Sequence, residues 1–63
     1  MALSKDQLSQ QAKNSLDLYA GGDESKIKQL LRFQRSSVVN ELMEFTGSHN
    51  MDDLALRLKL RMY

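Results

Sequence analysis

The sequence predicts an all-α fold, an antiparallel hairpin of two unequal helices followed by a third, leucine-rich C-terminal element. Three observations lead there. Apolar residues recur at helical spacing from Leu8 to Tyr19 and again from Ile27 to Phe45. Glycine appears only at Gly21, Gly22 and Gly47, where those two runs end, and proline is absent. The final ten residues, Leu54 to Tyr63, are dense in leucine and need cover from elsewhere.

The first helix is expected over residues 5–20. Ser4 and Gln7 have the spacing of a capping box, and Asp6 suits the positive end of the helix dipole. Leu8, Ala12, Leu16 and Tyr19 share one face, while Gln10, Gln11, Lys13, Asn14 and Asp17 cover most of the rest. The Gly21-Gly22 pair ends it, because glycine adopts the left-handed conformation without a Cβ penalty.

A second helix is expected over residues 24–46, opened by Asp23, Glu24 and Ser25 and closed by Gly47. Ile27, Leu31, Val38, Leu42 and Phe45 line its inner face, with Gln34 interrupting and Leu30 and Phe33 widening one side. The β-branched and hydroxyl residues of Ser36-Ser37-Val38-Val39 lower helix propensity and mark a place to bend or break. At 1.5 Å per residue the first helix is roughly 24 Å long and the second roughly 34 Å, so a hairpin leaves Leu42, Met43 and Phe45 on an overhang.

The third element, residues 51–63, carries two conflicting signals. Leu54, Leu56, Leu58, Leu60 and Met62 alternate with Ala55, Arg57, Lys59 and Arg61, the period of a strand. Yet Asn50 is a good N-cap, Asp52 and Asp53 fall in a first turn, and the basic residues fall in the last, which together favour a helix. As a helix it has two apolar faces, Met51, Leu54, Ala55, Leu58 and Met62 on one side, Leu56, Leu60 and Tyr63 on the other. Helix is the preferred reading and strand the alternative.

Composition bounds the function. Sixty-three residues form one small domain, 1–63, and a chain of that size buries only about 60% of the surface it exposes when unfolded. With no cysteine to form disulfides or thiolate metal sites, oligomerisation is the expected source of further stability, so the chain is expected to be a homodimer or a subunit of a complex. Its 41% hydrophobic content is that of a globular protein rather than a disordered one, and a net charge of +1 implies no overall pull toward nucleic acid or anionic lipid. The N-terminal stretch lacks the features of a secretory signal and no apolar run is long enough to span a bilayer, so a cytoplasmic location and no membrane contact are expected.

No nucleophile–base–acid set can be assembled, and no cofactor or metal site is expected. His49, alone in a polar connection, reads as an exposed loop residue, and Asp52-Asp53 as a response to the helix dipole. The expected function is therefore a non-enzymatic regulatory module, an adaptor or inhibitor, binding itself or a protein partner. Leu42, Phe45, Leu54, Leu58 and Met62 are the expected interface.

The alternative is a nucleic-acid-binding regulator. Lys28, Arg32 and Arg35 fall on one face of the second helix, with Lys26 nearby, and as a ridge they would follow a phosphate backbone. If the tail is a strand, Arg57, Lys59 and Arg61 point away from the leucines, and two such strands make a basic ribbon. That ribbon resembles the DNA-reading element of ribbon-helix-helix repressors, though in that family the strand precedes the helices.

Overall fold

A computed structural model describes residues 3–63; Met1 and Ala2 lie outside it. The described chain holds four α-helices, α1 (Gln10–Tyr19), α2 (Glu24–Arg32), α3 (Ser36–Thr46) and α4 (Met51–Leu60), with a short 3-10 turn at Lys5–Gln7 ahead of them. No strand occurs among the described residues.

The capping contact at the N-terminus forms, but it closes only that turn: the Ser4 N–H donates to Gln7 Oε1 at 2.8 Å. Leu8 is then extended and inserts its side chain into the core. Ser9 becomes the N-cap of α1, its Oγ accepting from the Ala12 N–H. Glu41, 32 residues onward, holds this break open by accepting from Ser9 N–H at 2.7 Å and Ser9 Oγ at 2.8 Å. The expected helix over 5–20 is therefore divided by a contact between distant parts of the chain.

The expected helix over 24–46 is likewise two helices. Its chain turns at Phe33–Arg35, just ahead of the serine–valine stretch, and Arg35 is extended. A continuous helix would drive Gln34 into the apolar stripe between Leu31 and Val38, an expensive place for an amide. The turn instead sets Gln34 Nε2 within 3.5 Å of both Ser15 Oγ and Tyr19 OH. It also removes the overhang, because α3 folds back against α1 and α4.

The strand alternative for the tail is overturned: residues 51–60 are helical. Asn50 Oδ1 accepts from the Asp53 N–H at 2.8 Å, and the acidic first turn and basic last turn complement the dipole. The helix closes on a left-handed Arg61, with the Met62 N–H donating to the Arg57 carbonyl at 2.9 Å. The alternation arises from a helix whose two opposite faces are both apolar. Leu54, Ala55 and Leu58 point inward, while Leu56 and Leu60 point out.

The core is continuous. Leu8, Ala12, Leu16 and Tyr19 meet Ile27 and Leu31, Val38 and Leu42, and Leu54, Ala55 and Leu58. α4 lies centrally and packs most extensively on α2. Polar contacts lock its ends: the Gly21 N–H, in the α1–α2 turn, donates to the Lys59 carbonyl at 2.9 Å. Arg57 bridges Asp53 at 3.0 Å and the Thr46 carbonyl at 2.8 Å, fastening α4 to the end of α3. The radius of gyration, 10.1 Å, is close to the roughly 10.6 Å expected of a folded domain of this length. One chain thus closes its own core.

Candidate interaction surface

Closure of the core relocates the expected interface. Leu42, Leu54 and Leu58 are fully buried within the chain and offer nothing to a partner. Phe45 is half-buried and meets Tyr63 in a tilted ring contact, centroids 5.1 Å apart. Of the five expected residues only Met62 is exposed. The apolarity that singled these residues out reports their place in the core.

The basic residues are also redistributed. Lys28 and Arg32 lie on α2 and Arg35 beyond the turn, so no single helical ridge carries all three. Lys28 pairs with Asp52 of α4. With the tail helical, no basic ribbon exists: Arg57 is committed to Asp53 and Thr46, Lys59 is half-buried, and Arg61 caps the helix. His49 is an exposed loop residue.

What remains outside the core is informative because folding does not require it there. Leu18 is 71% exposed and Phe33 89%, and Leu30, Leu56, Leu60, Met62 and Tyr63 are exposed as well. Two of them gather at a groove. Leu18 and Tyr19 at the end of α1, Gly22 and Asp23 in the turn, and Lys26, Ile27 and Leu30 along α2 line a cavity of about 320 Å³. Its floor is apolar, from Tyr19 and Ile27, and its rim carries one acid and one base.

Local sequence builds this groove. α1 ends two residues before Gly21, whose φ of 73° turns the chain sharply into α2; α2 then packs chiefly on α4, so α1 and α2 approach each other only near this turn. The Asp23 side chain accepts from the Ser25 N–H at 2.9 Å and starts α2 at once, so no long loop fills the space. Leu18 was missed among the expected contacts, although the sequence carries a signal for it: it follows Gln11 and Asn14 at helical spacing and is an apolar residue on a polar face.

A second cavity, about 270 Å³, opens at the C-terminal end of α2, between Leu31, Arg32, Gln34, Ser36, Val39, Asn40 and Met51. No cluster of three or more metal-ligating side chains occurs among the described residues, and no helix there is long and apolar enough to cross a membrane. No family model matches the chain, and no curated protein or solved structure shows significant similarity to it.

Proposed function

We propose that the chain is a small, non-enzymatic protein-interaction module, an adaptor or inhibitor that acts by occupying a partner. The α1–α2 groove receives the apolar edge of an amphipathic segment, with Leu18 and Leu30 as its walls and Asp23 and Lys26 orienting the incoming chain. The carrying observation is the coexistence of a closed core with Leu18 left 71% exposed beside an apolar floor. Water covers that surface in the isolated chain, and a partner would release it.

Self-association is the weaker form of this reading, because within one chain Leu42, Leu54 and Leu58 are fully buried and Met43 and Phe45 partly so, which leaves no overhang for a second copy to cover. The outward face of α4, Leu56 and Leu60, leaves it open as a second contact.

Selection of a displayed random-peptide library on the folded chain tests the proposal. Enriched peptides should carry apolar anchors three or four residues apart and should bind the Leu18→Asp variant at least tenfold more weakly, a loss of about 1.4 kcal/mol or more. Absence of enriched peptides, or binding that survives Leu18→Asp, would refute the groove as a docking site.

A further inference from the structure

Phe33 is the most exposed large apolar side chain of those described, at 89%, and neither the core nor the groove uses it. It caps the C-terminal end of α2 at the turn into α3, with Arg32 before it and Arg35 two residues after. Both arginines are exposed, and neither has a carboxylate partner among the described residues. Lys26 on the same helix is also exposed and unpaired there.

Charge is segregated along the stretch of sequence that carries this ring, although one of its cations, Lys28, is paired with Asp52. Residues 25–40 hold four of the nine basic residues and none of the eight acidic ones, so the segment carries +4 and the rest of the chain −3. The net charge of +1 hides this division. Beside the turn, the second cavity is lined by Arg32, Ser36 and Asn40 together with the apolar Leu31 and Val39.

We infer that the α2–α3 turn is a binding site for single-stranded nucleic acid, with Phe33 stacking on an unpaired base and Arg32 and Arg35 contacting the flanking phosphates. An exposed aromatic ring with an unpaired arginine immediately before it in the chain and another two residues after it supplies the two groups that sequence-tolerant single-strand binding uses. A folded duplex hides its base faces and would engage only the cations. An acidic peptide would likewise meet the arginines and give no role to the ring. The inference stands apart from the α1–α2 groove, which Phe33 does not line.

Fluorescence anisotropy with a dye-labelled oligothymidylate of about ten nucleotides, a length within the site sizes of such proteins, tests it. The duplex of equal length and polyglutamate serve as competitors. The single strand should bind more tightly than the duplex, and polyglutamate should compete poorly. Phe33→Ala, an exposed substitution that leaves the fold intact, should weaken binding by roughly 5- to 150-fold, the span for one stacked base. It should leave the dependence on salt unchanged. Replacing Arg32 and Arg35 together by Gln should reduce the slope of log affinity against log salt by about 1.4, two single-strand phosphates' worth. No binding at low salt, affinity indifferent to Phe33→Ala, or equal displacement by polyglutamate would each overturn the inference. Leu18→Asp should not alter oligonucleotide binding, which separates this site from the groove.

Discussion

The four leucines of the tail offer a sharp test of how α4 sits. Leu54 and Leu58 are fully buried, whereas Leu60 is 53% exposed and Leu56 lies partly outside the core. Truncating a fully buried leucine to alanine removes its transfer free energy and leaves a cavity, costing about 2–5 kcal/mol. A half-exposed position loses about 0.5 kcal/mol or less, and Leu56 under about 1. A folded domain of this length has a total stability of roughly 3–9 kcal/mol, so Leu58→Ala should bring the chain near its unfolding limit. With a urea dependence of about 1 kcal/mol/M, a 3 kcal/mol loss moves the midpoint by about 3 M. Urea titrations followed by far-ultraviolet circular dichroism would read these shifts for Leu54→Ala, Leu56→Ala, Leu58→Ala and Leu60→Ala. Large effects should fall at 54 and 58 alone, a spacing of four. A strand would place all four leucines on one face, and comparable losses at all four would refute the helix and the core built on it.

Two further expectations concern chain ends and breaks. Arg61 is the one non-glycine residue with positive φ among those described, at 55°. L-residues pay roughly 1–2 kcal/mol in that region, partly offset by glycine's freedom in the unfolded chain, so Arg61→Gly should raise stability by about 0.5–1 kcal/mol; an unchanged or lower melting temperature would argue against the left-handed cap. Glu41→Ala should lose about 1 kcal/mol by releasing both hydrogen bonds to Ser9. Ser9→Ala should cost less in the Glu41→Ala background than alone, retaining there only the loss of its N-cap bond to the Ala12 N–H, and full additivity in a double-mutant cycle would show that the Ser9 hydroxyl and Glu41 do not interact.

Much of the local structure was legible because its causes are local. The turns at Gly21 and Gly47 follow from glycine's access to positive φ, realised at 73° and 75°. Asn50, with the acids and bases that follow, defined α4 against a misleading alternation. The break at Leu8–Ser9 was not legible, because it contains neither glycine nor proline; the second was signalled by the low propensity of Ser36–Val39, but the turn falls just ahead of that stretch, at Phe33–Arg35. The first depends on Glu41 and the second on relieving Gln34, and both causes lie in tertiary contacts. The length mismatch between two uninterrupted helices vanished with the second break, and the uncovered overhang with it.

Site residues followed a different logic. Leu42, Leu54 and Leu58 were attractive as contacts because they are apolar and periodic, which is the signature of a core. The proposed contacts instead use residues that violate the pattern, Leu18 on a polar face and Phe33 between two arginines in sequence. The basic set was visible in sequence, but Lys28's partner, Asp52, is 24 residues away and only folding unites them.

One chain suffices to bury the core, and Leu18, Leu30, Phe33, Leu56 and Leu60 stay outside it. The most direct test of this closure is thermal unfolding across a hundredfold or so range of protein concentration, with solution mass measured at the same points. The expected result is an unfolding midpoint independent of concentration, shown by a monomer that is fully folded at the lowest point. A midpoint that climbs with concentration, or a dilute chain that loses its helices as it dissociates, would show that a second copy completes the fold.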